Sequence, residues 1–173
     1  ISAEDRVLQF ASPSFDASLA EIFMPLLAGA CLYPVPRSLL DEPWSLKEYM
    51  AEQRISAVTL PPSYLSVFRR EAFPTLRVLV TAGEAPIAED ARHYAAQLAH
   101  FNAYGPTEAS VCATLTHVSA ETDEPCISIG KPLPNTRTYI LDSQGWQVVP
   151  GMPGELCLGG IGSALGYRNQ PDL

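Results

Sequence analysis

The chain has 173 residues, about one domain on a soft prior of roughly 150 residues per domain. Its 47% apolar and 17% charged residues are globular composition and exclude a disordered or collagen-like chain. Eleven basic against nineteen acidic residues leave a net charge of −8 and a pI near 4.8, which argues against nucleic-acid binding and a polybasic membrane patch.

Arg6–Phe10 reads as a short strand, followed by a loop with Pro13. A helix is expected from about Ser18, where Ser18 and Glu21 have the Ser-x-x-Glu spacing of a capping box ahead of an apolar run. Leu19, Ile22, Phe23, Leu26 and Leu27 recur at the spacing of one buried helical face. Pro25 should kink or shorten this helix and Gly29 should end it. The apolar stretch Ile22–Val35 is interrupted by Pro25 and Pro34 and is too short to span a bilayer. The opening Ile1-Ser2-Ala3-Glu4-Asp5 has no signal-peptide character.

Next come an expected strand at Cys31–Tyr33, a helix near Trp44–Gln53, and a strand at Ala57–Leu60 closed by Pro61-Pro62. A helix at about Ser63–Arg70 follows. Leu76–Ala82 is a strongly apolar strand, as in a sheet buried on both faces. Gly83-Glu84-Ala85-Pro86 turns into a helix ending near Leu98, and Phe101–Tyr104 reads as another strand. This alternation predicts an α/β fold: a mostly parallel sheet flanked by helices.

After His117 the texture changes, and six of the sixteen prolines lie in the last 56 residues. Thr138–Leu141 and Glu155–Leu158 are the clearest strands, with a turn signal at Asp142-Ser143-Gln144-Gly145. A boundary is expected near residues 118–124, dividing an α/β unit (1–118) from the start of a β-rich unit (119–173). Cys31, Cys112, Cys126 and Cys157 form no CxxC pair and read as buried, reduced thiols of a cytoplasmic protein. His93, His100 and His117 lack metal spacing.

Chemistry is concentrated in a few segments. Asn102-Ala103-Tyr104-Gly105-Pro106-Thr107-Glu108 follows a predicted strand, where open α/β sheets bind ligands. It offers an aromatic face for a base, a hydroxyl for a phosphate oxygen and a carboxylate for Mg²⁺. From composition alone a surface turn with a buried tyrosine is the favoured reading. Gly83 lets backbone approach a ligand closely. Asp16 either caps a helix or pairs with a cationic ligand group.

In chain order the segments read FDAS, TLPPS, TAGEAP, NAYGPTE, IGKPLPN and GELCLGG. Together they resemble the amino-acid adenylation domains of nonribosomal peptide synthetases, in the adenylate-forming superfamily, over nearly the whole chain. The resemblance implies that an amino-acid carboxylate attacks the α-phosphorus of ATP, giving aminoacyl-AMP and pyrophosphate. The acyl group then passes to the phosphopantetheine thiol of a carrier domain, with condensation domains as further partners.

The resemblance also implies residue roles. Tyr104 would stack on adenine, Asn102 would contact its edge, and Gly83, Glu84, Ala85 and Gly105 would flank the nucleotide. Thr107 would bond the α-phosphate and Glu108 would ligate Mg²⁺. Asp16 would pair with the substrate α-ammonium. Asp16, Ala17, Ala20, Thr59, Val80, Ala82, Ala103, Val111 and Cys112 would line the amino-acid pocket. That lining is small, apolar and without a second charge, so the expected side chain is large and apolar. The set resembles phenylalanine-, tyrosine- and tryptophan-activating pockets, and Ala20, where phenylalanine pockets often carry a bulky aromatic, points to Tyr or Trp, then Phe.

The sequence departs from the family pattern in several places. Residues 1–28 contain no glycine and so no phosphate loop. The Tyr-x-Thr-Gly-Asp segment and the C-terminal catalytic lysine have no counterpart, and Leu165 stands where the family often has arginine. The expectation is an internal part of a synthetase, inactive by itself. The alternatives are an acyl-CoA or aryl-acid ligase of the same superfamily, or an inert binding module.

Overall fold

The computed structural model describes residues 1–170, so the last three residues of the expected second unit lie outside the described ones. Five parallel strands form the centre: β1 (Arg6–Gln9), β2 (Cys31–Pro34), β3 (Ala57–Leu60), β4 (Val78–Ala82) and β5 (Ala99–Tyr104). Two antiparallel strands, β6 (Thr114–His117) and β7 (Lys131–Pro132), extend the sheet to the order β2-β1-β3-β4-β5-β6-β7. A separate antiparallel pair follows, β8 (Thr136–Leu141) and β9 (Glu155–Gly160). Four helices connect the strands: α1 (Ala17–Ala28), α2 (Pro43–Glu52), α3 (Pro62–Ser66) and α4 (Ala88–Ala95). The expected α/β architecture is present. The sheet continues through β7, past residues 118–124.

Strand order explains the layering. The step from β1 to β2 runs one way across the sheet, and the later parallel steps run the other way. Parallel crossovers are right-handed, so the first connection lies on the opposite face from the rest. One face accordingly holds the main core, where Leu8, Val58, Leu60 and Leu79 pack with Leu46, Met50, Leu65, Phe68 and Tyr94 from the helical connections. The other face has a small cluster, Val7, Ala57 and Val78, with Ala30, Val80 and Phe101 against it. Val80 and Ala82 are only half-buried, so β4 is not enclosed on both faces as expected.

Helix α1 corrects two expectations. Its inward residues are Ser18, Glu21 and Pro25. The apolar stripe points outward, with Leu19 50%, Phe23 54%, Leu26 58% and Leu27 86% exposed. The periodicity located a stripe, but the inward face follows from Glu21, whose carboxylate accepts the Phe10 and Ala11 amides. The capping box is also absent. Asp16 holds the N-cap position, and the Ser18 hydroxyl donates to the Phe15 carbonyl at 2.7 Å. The helix runs through Pro25 and closes at Gly29.

The helix expected over 63–70 is the short α3, because Arg69 and Arg70 take left-handed backbone conformations. The thiols are free but not buried: Cys31 and Cys126 are exposed, and Cys112 and Cys157 are half-buried. His100 is fully buried.

Asp5, 3% exposed, ties the amino ends of three adjacent strands. It accepts from the Ser2 amide at 2.7 Å, from Ser56 Oγ at 2.7 Å ahead of β3, and from Arg77 Nη2 at 2.6 Å ahead of β4. Burial works to raise its pKa, but the bonds from Arg77, Ser56 and Ser2 outweigh it and hold the carboxyl well below the usual range. Asp5→Asn should therefore lower the unfolding free energy by about 1–3 kcal/mol at pH 7. The folded pKa is depressed, so this contribution is complete above the unfolded value of roughly 3.9 and is lost as pH falls below it. Urea unfolding from pH 7 to 3 should show the wild-type and Asn curves converging only in acid.

Candidate functional site

The strand order reverses at β1, so the carboxyl ends of β1 and β3 flank a topological switch point, where open α/β sheets take their ligands. The register between β1 and β3 consists of Val7↔Ala57, which leaves their carboxyl ends unladdered. The chain leaving β1 here forms the loop 10–16 and delivers Asp16 to the head of α1.

Asp16 meets a segment far away in sequence. The Val111 amide donates to Asp16 Oδ2 at 3.2 Å. Val111 has φ 59°, a left-handed conformation that β-branched residues rarely adopt. Such strain costs of order 1–3 kcal/mol and clusters at functional positions. Burial and the neighbouring Asp16 both push the Cys112 thiol pKa up. Gly105 makes the turn possible: a Cβ there would stand 2.5 Å from Cys112 Cα and 2.7 Å from the Val111 carbonyl oxygen. The Ala113 amide then donates to the Tyr104 carbonyl at 2.7 Å, closing the 105–112 loop.

The remaining residues expected to line the pocket fall on the α1 face of the sheet. Thr59 pairs in register with Val80, and Ala82 with Ala103. The pleat puts Val80, Ala82 and Ala103 on the side of the Val78 cluster. Ala17 and Ala20 lie half-buried on α1.

Asn102 and Tyr104 alternate with Ala103 and take the other side of β5. Asn102 differs from the expected adenine-edge contact. It is 2% exposed and its amide donates to the Ser128 carbonyl at 3.0 Å, so it supports the strand end from beneath. It belongs to a buried polar string. His100 Nδ1 lies 3.0 Å from the Ala91 carbonyl, which can only accept, so this nitrogen carries the proton. His100 Nε2 then accepts from Thr81 Oγ1 at 3.0 Å. Burial lowers the His100 pKa, in keeping with a neutral ring. Thr81 and His100 were missed as supporting residues; the only sequence signal was two polar residues inside apolar strands.

Gly83 has φ +90° and open space at the Cβ position, so its backbone is bare at the end of β4. Ala85 beside it is exposed. Glu84 turns away to accept from the Ser63 amide at 3.1 Å and hydroxyl at 2.9 Å.

Thr107 and Glu108 are exposed in a cleft of about 840 Å³, lined also by Ala164, Leu165, Tyr167 and Arg168. The segment leaving β9 fastens this loop: the Ser110 amide donates to the Gly162 carbonyl at 2.9 Å and the Ala164 amide to the Glu108 carbonyl at 2.8 Å. Tyr167 Oη donates to Glu108 Oε1 at 2.7 Å and holds that carboxyl below its usual pKa. Sequence reasoning gave Tyr167 no role, because the contact spans 59 positions. Among the described residues no cluster of three metal-ligating side chains occurs. A lone carboxylate fits Mg²⁺, which is usually held by one or two carboxylates with substrate phosphates completing the shell.

A mostly parallel sheet with its order reversed at β1, carrying an aromatic ring, a hydroxyl and a carboxylate at its carboxyl edge, defines an α/β protein of the class whose ligands bind at strand ends. Comparison narrows the class: the family described as "AMP-binding enzyme" matches residues 1–168, and the chain belongs to it. The chain is 41% identical to tyrocidine synthase 1 of Brevibacillus parabrevis over 174 residues, all of this chain and 16% of that protein. The adenylation domain AlmE of Vibrio cholerae, solved with glycyl-adenosine-5'-phosphate, superposes with a TM-score of 0.88 at 28% identity, over 99% of this chain and 34% of that one. The Klebsiella oxytoca NpsA N-terminal subdomain, solved with 3-hydroxybenzoyl-AMSN, gives a TM-score of 0.84 at 29% identity, over 99% and 45%. The chain thus spans less than half the length of each of these proteins. Among the described residues no helix is long and apolar enough to cross a membrane.

Gly105→Ala should destabilise by about 1–3 kcal/mol, the usual cost of overpacking, because backbone rather than a flexible side chain blocks the new methyl. The urea midpoint measures this directly. An unchanged midpoint would mean that the 104–106 and 111–113 segments separate freely.

Proposed function

We propose that this chain is the amino-acid-selecting part of an ATP-dependent adenylation domain of a nonribosomal peptide synthetase, acting in the cytoplasm. The longer protein would form aminoacyl-AMP and pass the acyl group to a phosphopantetheine carrier, with condensation domains beside it. The observation that carries the reading is the Asp16 carboxylate, held at the switch point by the Val111 amide. A substrate ammonium would complete its hydrogen bonding, which a substrate lacking an amine would not do.

Asp16 would bind the α-ammonium, with the side chain lying among Ala17, Ala20, Thr59, Val80, Ala82, Ala103, Val111 and Cys112. Small residues at these positions favour a large aromatic side chain: Tyr or Trp, then Phe. Tyr104 would stack on adenine, with Gly83, Glu84, Ala85 and Gly105 flanking it and Asn102 bracing the strand from below. Thr107 would hold the α-phosphate. Glu108 would hold Mg²⁺, which supplies charge neutralisation at the phosphates when bound. Adjacent positions on β5 then serve the two substrates on opposite sides of one strand, and the chain contributes chiefly by positioning them.

Amino-acid-dependent ATP–pyrophosphate exchange by the intact protein tests this. Exchange should peak with Tyr, Trp or Phe. Asp16→Ala should lower it by roughly 100-fold, the equivalent of about 3 kcal/mol for an unpaired charge. A peak with a small or charged amino acid removes the aromatic assignment alone. Exchange that survives Asp16→Ala, or that proceeds with a hydroxybenzoic acid, moves the chain to the acyl- or aryl-acid ligases.

Tyr167→Phe removes one hydrogen bond to Glu108 and should raise KM for Mg-ATP by about 3- to 10-fold. KM for the amino acid should stay unchanged, and initial rates at varied Mg-ATP separate the two.

A further inference from the structure

Glu21 is a buried carboxylate with no part in the reading above. It lies on the inward face of α1, 1% exposed, between Ser18 and Pro25. Its Oε2 accepts from the Phe10 amide at 3.0 Å and the Ala11 amide at 2.8 Å. Its Oε1 has no partner. Burial pushes the carboxyl pKa up to about 7, against the pull of the two amides. An apolar residue would fill this position without that desolvation cost.

The geometry gives the acid a task. Phe10 and Ala11 are the first residues past β1, where the ladder with β2 ends at Gln9↔Pro34. Their amides need an acceptor at the point where the chain turns toward Asp16. The Gln9 side-chain amide also donates to the Ala11 carbonyl, so this residue is held from both sides. The loop 10–16 is therefore fastened to α1 twice: covalently at Asp16 and through Glu21 at its start. A single acceptor oxygen taking two successive amides fixes direction as well as distance.

We propose that Glu21 is a positioning residue for amino-acid selection: by clamping the Phe10 and Ala11 amides to α1 it sets where the Asp16 carboxylate stands against Val111. The inference rests on the reading that Asp16 receives the substrate ammonium. Glu21 touches no substrate and acts through the loop 10–16.

The test uses the intact adenylating protein with Tyr, Trp and Phe as substrates. Glu21→Leu removes the acceptor at similar size. Glu21→Asp keeps the charge but falls one methylene short of both amides. Glu21→Gln keeps a carbonyl oxygen for them. The Leu and Asp variants should raise KM for the amino acid by about tenfold or more, with KM for ATP within about twofold, and Gln should restore the amino-acid KM to within about threefold. If Glu21→Leu does not fold, Glu21→Asp against Glu21→Gln decides. The proposal is overturned if both Michaelis constants rise together, if Gln behaves like Leu or Asp, or if none of the variants shifts the amino-acid KM. Asp16→Asn run alongside separates the premise: if it leaves exchange intact, the ammonium reading fails; if it abolishes exchange while Glu21→Asp is silent, only the positioning role fails.

Discussion

The reversal of strand order at β1 governs the rest of the molecule. Because crossovers between parallel strands keep one hand, a single step in the opposite direction sends α1 alone to one face of the sheet. The other face closes into a continuous core around Leu60, Phe68, Leu79 and Tyr94. The α1 face keeps small residues and half-buried strand ends. The same reversal leaves the carboxyl ends of β1 and β3 unladdered beside Asp16. The opening is thus a product of chain topology, and side chains then give it chemistry.

The two ends of the sheet divide stability from adaptability. At the amino end Asp5 gathers Ser2, Ser56 and Arg77 into one charge-assisted knot across β1, β3 and β4. At the carboxyl end the backbone is strained at Val111 and bare at Gly83, and a glycine is required at 105. Between them His100 bridges the Ala91 carbonyl and the Thr81 hydroxyl, and Asn102 donates to the Ser128 carbonyl, which satisfies polar groups inside an apolar sheet. Fully satisfied networks of this kind favour a single arrangement. They stiffen β5 beneath Tyr104, so the ring is presented from a rigid support.

Much of this was legible from local pattern. Apolar runs at Ala57–Leu60 and Leu76–Ala82, each closed by a turn residue, mark central strands wherever the rest of the chain lies. The motif segments could be placed at strand ends for the same reason. What escaped depends on partners distant in sequence. The stripe from Leu19 to Leu27 has helical spacing, yet spacing does not say which side is covered, and the Glu21 carboxylate reversed the expectation. Strand β7 is two residues long and carries no periodicity. The resemblance gave Asn102 an adenine contact, and nothing nearby in sequence hints at the Ser128 carbonyl that its amide meets. Tyr167 reaches Glu108 only after β8 and β9 have folded back.

These distant contacts share a feature: each carboxylate in the candidate site is positioned by a group that itself does no chemistry. Tyr167 holds Glu108, the Val111 amide holds Asp16, and Glu21 holds the loop leading to Asp16. A carboxylate on an exposed loop samples many rotamers, and fixing it at the moment of binding would cost about 1–2 kcal/mol of side-chain entropy. Holding it beforehand moves that cost into folding, where the Asp5 knot and the main core offset it. The alanines proposed for the pocket wall would then have a second consequence. Being short, they would adjust little to different substrates, and on the proposed reading discrimination would fall to the placement of Asp16 and to cavity depth. The buried acid on α1, costly as it is, would secure the first of these through the Phe10 and Ala11 amides.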